Sequence, residues 1–179
     1  VVRDREEVTG VLLVGGASRR FGSPKALARF QGEVLGERAH ALLAEAFAHV
    51  LVVGKEKDGL TLPFPVVDDG SDVRAPIVGL AAGLRAAGTD LVVFLPTDMP
   101  LVSPALLVRL ADGARGVDAA VPQTGPLPGA YRKSALQVLE RRIEAGDLAL
   151  YRALEELEVN VLEFDEDELR NVNTPADLA

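Results

Sequence analysis

Short runs that are apolar on both faces alternate along this chain with longer amphipathic stretches. VTGVLLV (Val8 to Val14), HVLVVG (His49 to Gly54), FPVVDD (Phe64 to Asp69), the start of LVVFLPTDMP (Leu91 to Pro100), DAAVPQ (Asp118 to Gln123) and VNVLEF (Val159 to Phe164) read as strands. Between them, Gly36 to Phe47, Ile77 to Gly88, Ser103 to Gly113, Arg132 to Gly146 and Asp147 to Leu157 show helical spacing. Ser103 followed by Pro104 is a cap and first-turn pair, and Thr174 with Pro175 repeats it before a last short helix. A strand that is apolar on both faces must be covered on both faces, which a parallel sheet between two helix layers provides. The alternation predicts a three-layer α/β/α fold with a mostly parallel central sheet. No repeat and no Gly-, Ser- or Pro-rich linker divides the 179 residues, so one domain over 1–179 is expected.

In such sheets ligands bind beyond the carboxyl ends of the strands, where the strand order reverses. Three polar clusters stand there. Gly15 and Gly16 end the first strand, and Ser18, Arg19, Arg20, Gly22 and Lys25 follow. Glycines let backbone amides approach a ligand, successive amides can hold an anion, and Arg19 and Lys25 add positive charge for phosphate oxygens. The spacing is neither a Walker A loop nor the G-x-G-x-x-G dinucleotide fingerprint. Asp98, after the strand at Leu91, can hold Mg²⁺, which takes oxygen ligands and bridges to substrate phosphates. Asn171 and Asn173, one residue apart, point to one side of an extended segment and offer amides to a polar ligand. Each cluster also has an ordinary explanation: a glycine turn with surface charges, a turn aspartate, and helix-entry chemistry at Asn-Thr-Pro.

The remaining conspicuous residues read as structural. His40 lies in an amphipathic stretch and His49 at a strand start, with no zinc-ligand spacing. Ser18 has no base beside it. Glu163 to Leu169 and Leu139 to Arg142 read as solvated faces. The net charge of −8 argues against a nucleic-acid partner, whose phosphates call for a basic excess. The absence of cysteine excludes disulfides and thiolate chemistry. Val1 to Thr9 is charged, and no apolar run approaches the ~20 residues of a membrane span. A cytoplasmic protein without membrane contact is expected.

The G-G-x-S-x-R-x-G-x-x-K loop resembles the signature of nucleotidyltransferases that modify molybdopterin. More narrowly it is similar to that of the molybdenum cofactor guanylyltransferase family, whose guanylyl members carry Gly-Gly where cytidylyl relatives more often carry Ala-Gly. Pro24 stands where an acidic residue commonly precedes the lysine. Asp98 with Pro100 resembles the family's Asp-x-Pro element, Asn171 to Pro175 its C-terminal Asn-x-Asn-Thr-Pro signature, and Ala75 to Leu80 its Gly-Pro-Leu-x-Gly element. Gly125 to Leu136 resembles the segment that faces the second substrate.

The resemblance implies a Rossmann fold of the nucleotide-diphospho-sugar transferase kind. It implies a Mg²⁺-dependent enzyme that transfers GMP from GTP to the terminal phosphate of molybdopterin and releases pyrophosphate. Leu13, Val14, Gly15, Gly16, Lys25, Asp69 and Asp98 would bind the nucleotide. Lys25, Arg19 and Asp98 would act in catalysis, Asp98 as metal ligand, and Asn171 and Asn173 would serve the pterin. Asp69 would read guanine by accepting its ring N–H and exocyclic amine, with the adjacent Asp68 as the alternative. Transient contact with proteins that deliver molybdopterin or take up the cofactor is also implied. Within the class, the alternatives are cytidylyl transfer to molybdopterin and transfer to another phosphorylated small molecule. Outside it, the alternative is a non-catalytic nucleotide-binding α/β domain. A receiver-like module of that kind would place acidic residues where this chain has Gly-Gly and then arginines.

Overall fold

Six consecutive residues without a charge, Val8–Leu13, form β1, and five of the six are buried. A computed structural model of the protein describes residues 5–15 and 24–178. In it β1 lies between β4 (His49–Gly54) and β6 (Leu91–Pro96), parallel to both. The chain first winds one way, through helix α1 (Leu35–Ala46) to β4 and then to the short β5 (Val67–Asp68). It then crosses through α2 (Pro76–Ala86) to β6 on the other side of β1. Beyond β6 the sheet continues with β8 (Gly129–Arg132), β7 (Ala119–Pro122) and β9 (Val159–Leu162). The order is β5-β4-β1-β6-β8-β7-β9, seven strands among the described residues. β8 runs antiparallel to both neighbours, and every other pairing is parallel.

Helices cover both faces. α1 and α3 (Pro104–Gly113) pack on one face through Ala39, Leu43, Leu107 and Leu110, against Leu12, Val52, Val93 and Leu95. α2, α4 (Leu136–Glu144) and α5 (Leu150–Leu154) pack on the other through Leu80, Leu84, Leu139 and Ala153, against Val11, Val53, Val92 and Phe94. Neighbouring strand residues thus feed opposite cores, as the pleat requires. Ser103 caps α3 and accepts from the Leu106 N–H at 3.2 Å, with Pro104 in the first turn. No helix among the described residues is long and apolar enough to cross a membrane.

Several elements differ from the sequence reading. The strand expected over Phe64 to Asp69 is paired only at Val67–Asp68, because Phe64 and Val66 turn toward the core instead. The helix expected from Arg132 begins at Leu136, because Gly129–Arg132 is the inserted antiparallel strand β8. A small hairpin of β2 (Arg29–Phe30) and β3 (Glu33–Val34) precedes α1. Leu139 to Arg142 is not a solvated face throughout: Leu139 is buried, and Arg142 pairs with Asp147 and Glu156, binding α4 to the segment around α5. At the C-terminus the capping runs backwards. Asp177, not Thr174, accepts from the N–H groups of Asn173 and Thr174 and from the Thr174 hydroxyl. Those three bonds hold the Asp177 carboxyl below its usual range, the backbone donors foremost.

The α2–β6 seam depends on glycine. A Cβ at Gly83 would lie 2.5 Å from Phe94 Cε1 and 3.2 Å from Val11 Cγ1, and Phe94 is fully buried and packed edge-on against Tyr131. Gly83→Ala is therefore expected to cost about 1–3 kcal/mol through overpacking, more than the ~1 kcal/mol that helix propensity returns. At Gly88 a Cβ meets nothing within 4 Å among the described residues. Urea denaturation checks the contrast: Gly83→Ala lowers the midpoint and Gly88→Ala leaves it near wild type.

Candidate active site

The carboxyl ends of β1, β4 and β6, with the start of α2, surround a cavity of about 430 Å³. It lies where the chain changes its direction of winding, the place expected for a ligand in this architecture. Leu13 and Gly15 enter it from β1, and Gly54 and Lys55 from β4. Asp69, Val73 and Arg74 come from the loop after β5, Pro76 and Gly79 from α2, and Thr97 and Asp98 from the corner after β6. Lys25, in a single 3₁₀ turn over Lys25–Leu27, closes the side nearest Asp98. The backbone can approach closely here because side chains are missing. A Cβ on Gly79 would lie 2.9 Å from Leu13 Cδ2, and one on Gly54 2.6 Å from Val14 Cγ2. Gly15 differs: a Cβ there would meet nothing within 4 Å among the described residues, and its φ is not left-handed. Its missing side chain therefore relieves no clash with a described neighbour and permits no left-handed turn.

Five of the residues expected to bind nucleotide, Leu13, Gly15, Lys25, Asp69 and Asp98, line this one cavity. Val14 does not; it is buried in the core, and its N–H donates to the Val53 carbonyl at 3.0 Å. Gly16 and Arg19 lie outside the described residues, as do Ser18, Arg20 and Gly22. Lys25 Nζ approaches Asp98 Oδ2 at 3.5 Å, the outer limit of a hydrogen bond, and the two side chains are 15% and 24% exposed. The two aspartates at the end of β5 and just beyond it are placed differently. Asp68 is exposed, accepts from the N–H groups of Glu56 and Gly70, which hold its carboxyl below the usual range, and does not line the cavity. Asp69 lines it.

Asp69 is not presented as the sequence reading expects. Its two oxygens lie 3.0 and 2.9 Å from Lys55 Nζ, and Oδ1 also accepts the Ser71 N–H at 3.0 Å. The fork that was to grip guanine holds an ammonium instead. Lys55 escaped the sequence reading because it opens the run Lys-Glu-Lys-Asp, which looks like a solvated turn. Its place directly after a buried strand was the signal. Asn171 and Asn173 are exposed on either side of the buried Val172, as an extended segment dictates. They do not reach the main cavity. Asn171 lines a separate cavity of about 270 Å³ with Phe30, Leu101 and Asp177. The Val172 N–H donates to the Asp98 carbonyl at 2.7 Å, so this segment is tied to the Asp98 corner through its backbone. His40 stacks on Phe64 with ring centroids 4.3 Å apart, and burial moves its pKa down. It has the structural role expected.

The model of the MobA-like NTP transferase domain matches residues 10–161. A probable molybdenum cofactor guanylyltransferase of Chloroflexus aggregans is 35% identical over 190 residues, covering 96% of this chain and 91% of that protein. A second, of Pelotomaculum thermopropionicum, is 33% identical over 187 residues, covering 96% and 90%. Among solved structures, molybdopterin-guanine dinucleotide biosynthesis protein A of Archaeoglobus fulgidus superposes with a TM-score of 0.83 at 29% identity, covering 95% of this chain and 94% of that one. The chain belongs to the MobA-like NTP transferase family and is a nucleotidyltransferase.

The Lys55–Asp69 pair yields a stability prediction independent of any ligand. Both side chains are under a tenth exposed. Removing one charge leaves the other uncompensated, at a cost of about 3–5 kcal/mol, whereas replacing both by apolar groups is near neutral. Lys55→Met is expected to lose about that much in urea denaturation, and Lys55→Met with Asp69→Leu to recover most of it. A double variant no better than the single one would refute the coupling.

Proposed function

We propose that this family member transfers GMP from GTP to the terminal phosphate of molybdopterin, and that residues 1–179 act as one catalytic unit. The observation that carries the reading is the convergence of Gly15, Lys25 and Asp98 on one cavity at the sheet's switch point. The names of its relatives support the acceptor and the base. An oxygen of the pterin phosphate attacks the α-phosphorus of GTP, a new P–O bond forms, and the bond to the β-phosphate oxygen breaks as pyrophosphate departs. No general base is needed, because a phosphate monoester is already ionised near neutral pH. The protein's task is in-line positioning and neutralisation of charge.

Lys25 brings an ammonium against the phosphates, and Arg19 is proposed to join it. Gly15 lines the cavity, and its backbone is proposed to meet the triphosphate, with Gly16 following. Asp98 fits a magnesium site of the phosphate-bridged kind, in which one carboxylate suffices and substrate oxygens and water complete the shell. It is partly exposed at the cavity, and its contact with Lys25 is long. Asp98 would hold Mg²⁺ there, and the ion would supply positive charge to the phosphates. Asn171 and Asn173 are proposed to face the pterin; the bond from the Val172 N–H between them to the Asp98 carbonyl, which ties this segment to the Asp98 corner, supports this.

A ligand at a hundred times its Kd adds about 2.7 kcal/mol to folding stability, enough to read as a melting shift. Thermal melts with GTP, CTP and ATP, each with and without Mg²⁺, are expected to show a Mg²⁺-dependent shift that favours GTP. A CTP preference would keep the mechanism and change the product. Lys25→Ala and Asp98→Ala are expected to lower turnover by roughly 10²-fold or more, the scale of losing one charge-stabilising group, while their melting without ligand stays near wild type. Near-normal turnover in either variant would remove that residue from the mechanism.

A further inference from the structure

Reading guanine at both its ring N–H and its exocyclic amine requires two free carboxylate oxygens. Asp69 does not have them. A carboxylate offers about four lone-pair sites. Lys55 Nζ, almost equidistant from the two oxygens, takes one site on each, and the Ser71 N–H takes the second on Oδ1. One acceptor position remains, on Oδ2. Lys55 is committed as fully: its ammonium meets both Asp69 oxygens and, at 2.5 Å, the Ser71 carbonyl. It has no donor left for a ligand and can act only through Asp69. Both residues line the cavity and are nearly buried, so the pair has little freedom to rearrange.

We infer that Lys55 is a specificity-setting positioning residue: by occupying the fork of Asp69 it leaves one acceptor for the base, so the site takes purine nucleoside triphosphates carrying a ring N1–H and leaves the 2-amine unread. This rests on the nucleotidyl-transfer reading above and adds a substrate class to it. Guanine and hypoxanthine both present N1–H. Adenine presents a lone pair there, which faces the Asp69 oxygen as one acceptor against another. The ammonium also neutralises the carboxylate, so the base meets an acceptor whose charge does not add to that of the triphosphate.

The test is titration calorimetry of the full chain with Mg²⁺ and GTP, ITP or ATP. ITP is expected to bind within about fivefold of GTP, and ATP at least about tenfold more weakly, the scale of one hydrogen bond to a charged group. ITP weaker than GTP by more than about fivefold means that the 2-amine is read, and overturns the inference while leaving nucleotidyl transfer intact. Absence of binding by every nucleotide would overturn the reading beneath it as well. In Lys55→Met, which frees the fork, GTP is expected to gain about tenfold over ITP, and in Lys55→Arg, which keeps a cation on the fork, the two are expected to stay within about fivefold. An unchanged ratio of GTP to ITP affinity in folded Lys55→Met assigns Lys55 a purely structural role. If that variant does not fold, the ITP comparison on the wild-type chain still decides.

Discussion

The parallel pairing of β1 with both β4 and β6 is the constraint from which the rest of the structure follows. Parallel neighbours cannot be joined by a tight turn, so each requires a crossover, and here the two crossovers pass over opposite faces of the sheet. Where they part, the end of β1 is left uncovered, and that gap is the cavity. Its walls are set by the same packing. β4 ends against Val14, and α2 against Leu13, at distances only Gly54 and Gly79 allow. The strand that organises the core therefore also fixes where the cavity lies, with no separate device needed to place it.

Much of this was legible in the residues, and the failures have physical causes. Long, evenly apolar elements such as Val8–Leu13 and Leu91–Pro96 were plain because burial on both faces leaves no alternative pattern. The Ser103-Pro104 cap was plain because its chemistry is local. Gly129–Arg132 was missed because its strand character comes from pairing with distant residues, Leu91 to Phe94 and Ala119 to Ala120. Phe64 and Val66 misled because an apolar residue is equally at home in a strand or in a loop packed on a core. At the site, the cavity-lining Asp69 and Asp98 could be picked out by position after a strand. The state of their oxygens could not, since it depends on which cations fold back to meet them.

Those cations follow a pattern. Lys55, Lys57 and Asp58, after β4, pair with Asp69, Asp72 and Arg74, after β5. The outer pairs are exposed and contribute little to stability individually. Together with the Asp68 bonds to Glu56 and Gly70, however, they hold the loop that carries Asp69, Val73 and Arg74 against the end of β4. β5 has only two ladder residues with which to do so. A pairing too short to fix a loop is supplemented by charge, and the cavity wall that carries Asp69, Val73 and Arg74 is held in place as a result.

The cavity thus contains two lysine–aspartate pairs of opposite character. Lys55 and Asp69 are buried, at hydrogen-bonding distance on both oxygens, and nearly saturated. Asp98 is a quarter exposed and meets Lys25 at the limit of hydrogen bonding. A saturated pair is costly to disturb and gives little to a ligand, so it suits a fixed template for a neutral base. A pair held at that distance is weaker than a saturated one, and its charges can be drawn to other partners. The same two residue types thus form a saturated pair at one end of the cavity and a longer contact at the other, and burial sets the difference.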